Sequence, residues 1–577
     1  MKLASTILHI AADVVLVAAF VFMAWWAGST FAGRVGFPFD LEWMEGGMLL
    51  HALRVRDGLP LYVAPSPEFI PFIYPPGYPW LVGMLGRVLP LGYALARSVS
   101  FAGTGIAALL LILGVRQEGH RWSLGFGAAA LFLSCYEDVG AFFDLVRTDG
   151  MQLALMGGAL LLCRRASRRA VAVGGLLLFL AFTTKHNMAM LGLPIVVALW
   201  RHHGWRRAAW FTACSAGPAL LWTAWMQISS HGYFLTYILA VPATHPIVGT
   251  RLFPTAEKEL LSAFPAPLAA AALVPAAALL SQGWRRLHPT AGQAPSPCTG
   301  DASFARWYWI GTMAMGLFMV VLMRGHHGGY VNVLMPGYWL LALVVGLGLG
   351  ALARRWRPPL LQATLLLAGA GMIAGQCWAG RWERDRFLPT QADLAAGQQV
   401  LDTLRGYQGA VLMPHSPYYP VMVGKEPSFA LIALWDITHA HSPLKREAKA
   451  IDRAIREQRF DAIILASRKF EYGLHKAYQQ SGSIHLKGRA LMPKSGWRAR
   501  PSVIFEPKPD APPPPGRHGG RGRRGGQRGR GVRRRGGKIA PDLTRLRRCP
   551  RPSPRRGRPR RRSPGAERSR SRWSPPG

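Results

Sequence analysis

Tyr74–Pro90 reads YPPGYPWLVGMLGRVLP, and whether it crosses a membrane decides the topology of everything around it. It is apolar, but it holds four prolines and Arg87. Proline removes a backbone donor and clashes with the preceding helical turn. A crossing needs about 20 helical residues to match a hydrocarbon core roughly 30 Å thick. The stretch is therefore read as a juxtamembrane or partly re-entrant segment in the outer interface, where prolines and aromatics are at home.

Around it lie longer apolar runs. Eleven spans are expected, at 7–28, 97–115, 122–142, 149–163, 170–184, 187–200, 208–228, 263–281, 307–323, 333–352 and 360–378. Basic residues cluster in Arg116–Arg121, Arg164–Arg169, Arg201–Arg207, Gln282–Arg306 and Arg354–Arg357. With Lys2 inside and Tyr74–Pro90 not crossing, all five loops fall on the cytoplasmic side, as the positive-inside rule requires. Counting Tyr74–Pro90 as a crossing would invert them. An odd number of spans places residues beyond 380 outside. The fold class expected is an all-α polytopic membrane bundle with a small α/β C-terminal extracytoplasmic domain and a disordered tail.

Composition agrees. The chain has 577 residues, 50% hydrophobic and 17% charged, with a formal charge of +40. Residues 511–577 hold 23 Lys and Arg against 2 Asp and Glu, leaving 46 and 27 for residues 1–510. An Arg/Pro/Gly-rich tail cannot bury enough apolar surface to offset chain entropy, so 509–577 is expected to be disordered. By the odd span count it lies outside the cell, which argues against a nucleic-acid partner. Residues 1–380 are read as the membrane domain, with 29–96 as its first external loop. Residues 381–508 are read as a small α/β domain, with helical patterns near Gln391–Leu404 and Pro443–Gln458 and strand candidates at Ala410–Met413, Phe460–Ala466 and Phe505. The six cysteines form no CxxC pair and are read as small core residues.

Chemistry-bearing residues gather on the outer side. FDLEWMEGGML in the first loop places Asp40, Glu42 and Glu45 within six positions, ahead of an amphipathic helix expected over Leu41–Arg56. These carboxylates either cap that helix or form a base or metal site at the membrane surface. A second cluster, YEDVGAFFDLVRTDG, brings Asp144, Arg147 and Asp149 to a span boundary, with Glu137 and Asp138 placed deeper in the preceding span. Ionisable groups at membrane depth are costly and face a cavity or a partner. Lys185 punctuates the turn between two spans, and RGHHGGYVN brings Arg324 and His326 to another, a set suited to a phosphate.

The order of these motifs resembles the GT-C membrane glycosyltransferases, among them the aminoarabinose transferases, the protein O-mannosyltransferases and the sugar transferases of rhizobial lipopolysaccharide. The resemblance runs over about residues 5–380. It rests on FDLEWMEGGML, then G-x-P-L-Y, F-I-Y-P-P-x-Y, R-T-D at a span's outer end and T-T-K between two spans. It implies a bacterial plasma-membrane enzyme, N-terminus cytoplasmic, that moves a sugar from a polyprenyl-phosphate donor to an acceptor glycan, lipid or protein. It also implies Asp40, Glu42 and Asp149 as catalytic residues, with Asp40 as the best match for the base and Glu42 as the competing choice. Tyr74, Asp144, Arg147, Lys185, Arg324 and His326 then bind substrate. No cofactor is assigned, and a divalent metal is left open, with Asp40 and Asp149 as its candidate ligands. The competing reading is a transporter or flippase of a lipid-linked saccharide. Polar residues on one face, rather than at the midplane of an inverted repeat, favour the enzyme.

Overall fold

Apolar runs become helices where the sequence places them. The computed structural model describes residues 2–272, 300–355, 358–467 and 472–509, all within one unit, Met1–Arg517. The helices are α1 Lys2–Val35, α2 Glu45–Arg56, α3 Gly77–Leu85, α4 Tyr93–Gln117, α5 Trp122–Ser134, α6 Asp149–Arg164, α7 Arg168–Thr184, α8 Gly192–His203, α9 Trp205–Ser229, α10 Gly300–Gly325, α11 Met335–Arg355 and α12 Pro359–Ala379. Ten of the eleven expected spans thus have a helix. The run at 263–281 is helical over 265–272, and its remainder lies outside the described residues. So do 282–299 of the fourth basic loop and the tail from 510 onward.

By length and hydropathy, five described helices are sufficient to cross a membrane: Lys2–Val35, Tyr93–Gln117, Asp301–Gly325, Val331–Arg354 and Pro359–Ala379. Helix length therefore does not establish the count of eleven, because α6, α7 and α8 have 16, 17 and 12 residues. The Tyr74–Pro90 segment contains only the nine-residue α3, about half of what a crossing needs.

Side-chain contacts sort the loops onto two faces. On one, Arg121 pairs with Asp13 near the start of α1, and Ser5 donates to the Pro359 carbonyl at 2.9 Å. Arg164 joins Glu118 at 2.8 Å and Asp301 at 3.2 Å, while Arg354 reaches His120 at 2.9 Å. The basic loops that are described therefore share the face of the N-terminus. At the far end of α1, Trp26 donates to the Trp382 carbonyl at 3.1 Å, so the chain leaves α12 at the opposite face. Start and finish on opposite faces are what an odd number of traversals gives.

Two helix boundaries differ from expectation. The α5 helix stops at Ser134, not 142, and residues 135–148 run as turns, mostly buried apart from Glu137 and Asp138, with positive φ at Gly140 and Ala141. Hydroxyls of α4 compensate the exposed carbonyls: Thr104 donates to Phe143 at 2.8 Å and Ser100 to Arg147 at 3.0 Å. Irregular backbone at depth is tolerated only with such partners. Glu137 and Asp138 accordingly sit at the exposed surface, where Glu137 pairs with Arg386, rather than deeper in a span. Likewise α2 begins at Glu45, not Leu41, because residues 40–44 wrap around its first turn.

Past α12, α13 (Gln391–Arg405) opens on a capping box between Thr390 and Asp393. The helix expected over Pro443–Gln458 is shorter, Lys449–Arg456. A four-stranded sheet follows the order β1-β2-β4-β3, with β1 Val411–Leu412, β2 Ala462–Leu465, β3 Tyr478–Ser483 and β4 Val503–Pro507. β1 and β2 are parallel, whereas β4 runs antiparallel to both of its neighbours. This α/β portion rests on the first loop. Lys494 N–H donates to the Leu41 carbonyl at 2.8 Å and Phe429 N–H to the Pro67 carbonyl at 3.1 Å.

His51 locks the first loop internally. Its Nδ1 donates to the Gly47 carbonyl at 2.7 Å and its Nε2 accepts the Phe72 N–H at 2.9 Å. Burial pushes the imidazole down to about 4, so the neutral ring is the folded form. His51→Ala strands a buried N–H and a buried carbonyl. A loss of about 1–3 kcal/mol is expected, read as a lower thermal midpoint in detergent.

Candidate active site

A fully buried ion pair builds the site from below. The two oxygens of Glu45 meet the Arg97 guanidinium at 2.7 and 3.0 Å. They also accept backbone N–H groups from both acidic stretches: Leu41 at 2.7 Å and Val146 at 2.9 Å. One carboxylate therefore fixes the residues flanking Glu42 and Arg147 against each other. Arg97 spends its remaining donors on the Phe37 and Phe39 carbonyls at 2.6 and 2.7 Å. Glu45 was expected only as one of three clustered carboxylates, and Arg97 was not among the expected site residues. The available signal was an arginine at the head of an apolar helix, which at membrane depth asks for a partner.

Above this support, five expected residues converge. Arg147 Nη1 lies 3.6 Å from Glu42 Oε2, and its guanidinium stands 5.8 Å from the Tyr74 ring centroid. Asp149, at the first turn of α6, accepts from Lys185 Nζ at 2.5 Å and Asn332 Nδ2 at 3.0 Å. Asp149 acts electrostatically on Glu42, Arg147 and Tyr74 alike, so the two acidic motifs share one site. Burial pushes Glu42 up to about 7, with the like charge of Glu45 adding to it and Arg147 opposing. Burial also raises Tyr74.

Asp40 takes a different place. Its Oδ1 accepts from Tyr93 Oη at 2.8 Å and the Gly46 N–H at 2.9 Å, so it caps the first turn of α2 from outside the helix. Its Oδ2 is buried without a hydrogen bond, and burial with the nearby Glu45 charge raises its carboxyl well above the usual range. Asp144 departs further from expectation. It forms a 2.9 Å ion pair with Arg34 of α1, and Arg34 also donates to Tyr136 Oη at 2.6 Å. The pair clamps the helix to the loop. Arg324 is likewise engaged, by Glu259 at 2.7 Å and by the Gly329 carbonyl at 2.8 Å, so it anchors its own turn.

His326 joins a histidine group that sequence spacing did not foretell. Its ring centroid is 5.1 Å from that of His245, and His245 is 4.5 Å from His439. Burial and neighbouring imidazoles push His245, His326 and His439 down, toward neutral rings. His245 Nε2 lies 3.2 Å from the Asp436 carbonyl oxygen and 3.9 Å from its carboxylate. Burial raises that carboxyl to about 8, and it acts electrostatically on Tyr74. Asp436 was missed, although a lone carboxylate within LIALWDIT was a legible sign of a buried acid.

The residues do not suit a divalent metal on Asp40 and Asp149. Oδ1 of Asp149 already carries an ammonium and an amide, Oδ1 of Asp40 takes two hydrogen-bond donors and Glu42 faces a guanidinium, so that only Oδ2 of each aspartate is left without a hydrogen bond. Among the described residues no three His, Cys, Asp or Glu side chains converge as a metal requires.

The C-terminal portion closes the site. Glu42 pairs in parallel with Ser495, Gly496 at φ +69° packs its α-carbon against the Glu42 side chain, and Ser495 Oγ bonds to the Gly140 carbonyl.

No known protein family matches the chain, and no curated protein matches it. Solved structures similar to it include two of one protein. One is ArnT from Cupriavidus metallidurans bound to undecaprenyl phosphate, 12% identical, covering 84% of this chain and 97% of that one at a TM-score of 0.49. The other is the same organism's ArnT in the apo state, 13% identical, covering 85% and 97% at a TM-score of 0.47.

Proposed function

We propose that this chain is a membrane glycosyltransferase of the GT-C class, moving a sugar from a polyprenyl-phosphate donor to an acceptor on the outer face of a bacterial plasma membrane. The observation that carries the reading is the buried meeting of two opposed pairs, Glu42 with Arg147 and Asp149 with Lys185, around Tyr74. Both pairs lie on the face opposite the basic loops. The positive-inside rule makes that face external, with the N-terminus cytoplasmic and the α/β portion outside.

The chemistry follows from the charges. Glu42 takes the proton of the acceptor hydroxyl as its oxygen attacks the anomeric carbon. The bond from that carbon to the phosphate oxygen breaks, and the anomeric centre inverts. The polyprenyl phosphate departs as an anion, stabilised by Lys185 and Arg147 in a water-poor site where such interactions are strongest. Asp149 holds Lys185 in place, and Asn332 donates to the same Asp149 oxygen. Glu42 rather than Asp40 is assigned as the base, because it faces the Arg147 guanidinium, while Asp40 Oδ1 is taken by Tyr93 and Gly46 and its Oδ2 is buried away from any ion pair.

Reconstitution with a labelled polyprenyl-phosphate sugar tests this: sugar must leave the lipid. Movement of the intact lipid with no sugar release would favour the transporter. The pH profile adds a second check. Glu42 accepts a proton only when ionised and its folded value is about 7. The rate should therefore rise about tenfold per unit up to pH near 7 and then level. A profile already flat from pH 5 would remove Glu42 as the base.

A further inference from the structure

Three tryptophans from three separate segments meet beside Glu42. Trp43 follows Glu42 itself, Trp435 lies on the helix Leu431–Thr438, and Trp497 follows Gly496. The Trp43 ring centroid is 5.1 Å from that of Trp497 at 82° and 6.0 Å from that of Trp435, while Trp435 and Trp497 are 5.5 Å apart. Trp435 and Trp497 are each 40% exposed.

We infer that Trp43, Trp435 and Trp497 form a platform on which a pyranose ring of the acceptor stacks, so that the acceptor is a saccharide or carries one; this rests on the glycosyltransferase reading above.

Core packing does not explain the cluster. Trp339 and Trp382 are fully buried and spend their indole N–H on the Ala107 carbonyl and Thr30 Oγ1. The three platform rings leave surface open. On the Leu431–Thr438 helix, Leu431, Ala433, Leu434 and Ile437 fill the interior while Trp435 turns outward.

A membrane belt does not explain it either. Belt tryptophans sit at span ends, as Trp25, Trp200, Trp205 and Trp378 do here, each well exposed on a bundle helix. Trp43, Trp435 and Trp497 belong to the first loop and the α/β portion, and they pack on one another. A pyranose has an apolar C–H face and a hydroxyl rim. The platform offers π faces for the first, whose negative potential attracts C–H groups, and a polar group for the second. The polar group is the carboxyl of Asp436, the residue after Trp435, 15% exposed, whereas His415, whose ring is 5.5 Å from that of Trp497, is buried. A bare acyl chain would have no use for that carboxyl. Placed there, a sugar is held next to the residue assigned to take the hydroxyl proton.

The test uses the full chain in nanodiscs, with deacylated envelope oligosaccharides of the source cells as the probe and polyprenyl phosphate as a control ligand. Wild type should retain the oligosaccharides and show a saturable change in tryptophan fluorescence. W435A and W497A should each weaken retention at least tenfold, W435F should restore it to within about threefold, and polyprenyl-phosphate retention should not change. No retention by wild type, or retention indifferent to W435A combined with W497A, overturns the platform. A binding preference for the delipidated envelope protein fraction overturns the saccharide class. Loss of vesicle association in the variants, with glycan retention intact, assigns the rings to the membrane instead. Tryptophan-dependent glycan retention without any polyprenyl-phosphate retention supports the platform and overturns the donor assignment.

Discussion

Glu42→Gln should lower sugar transfer by about 10²- to 10⁴-fold, the usual contribution of a positioned general base, while the protein still inserts and still binds polyprenyl phosphate. Glutamine keeps the shape and the acceptor oxygen that the Met44 N–H uses at 3.2 Å, but it cannot take a proton. The cations are untouched, so donor binding survives and the loss falls on the chemical step. The rise in rate toward pH 7 should disappear with it. Asp40→Asn is the contrast. Its carboxyl is raised by burial, and asparagine retains an oxygen for Tyr93 and Gly46, so the variant should keep most of the activity. Labelled-donor turnover on both variants decides. If Asp40→Asn abolishes transfer and Glu42→Gln spares it, the base is Asp40.

The larger structural effect is expected at Glu45. Removing one partner of a buried ion pair costs about 3–5 kcal/mol, because the other charge stays behind without compensation. Glu45→Ala leaves the Arg97 guanidinium buried and strips the Leu41 and Val146 N–H groups of their acceptor. The expected result is a sharp fall in thermal midpoint and in folded yield from detergent. Replacing both charges, as Glu45→Gln with Arg97→Met, should cost less than Glu45→Ala alone, since no lone charge remains. A single variant within 1 kcal/mol of wild type would show that the pair does not hold the two acidic stretches together. At the destabilised site, activity should fall further than fold content, because Glu42 and Arg147 flank the amides that Glu45 holds.

Much of this was legible in local pattern. Apolar runs marked ten helices, and the basic loops that are described did gather at one end. The prolines of Tyr74–Pro90 limited α3 to nine residues. Asp149, Lys185, Glu42, Arg147 and Tyr74 were all visible as polar residues at outer turns. The place where α5 ends was not, because YEDVGAFF is apolar enough to continue a helix. It ends at Ser134, and the turns that follow carry Gly140 and Ala141 at positive φ, with α4 hydroxyls satisfying later carbonyls.

The sequence by itself determined where helices form, which loops share a face and which residues stand at the outer turns, since each depends on neighbours within a few turns of chain. Only the tertiary structure decided which charges act on each other. Asp144 went to Arg34, 110 positions away, Arg324 to Glu259, and Glu45 to Arg97, while Glu42 kept Arg147. It also brought Trp435, Trp497 and Ser495 from the far end of the chain to the first loop. Pairing follows from how packed helices set distance and exclude water, and a buried charge takes the partner that this packing puts within reach.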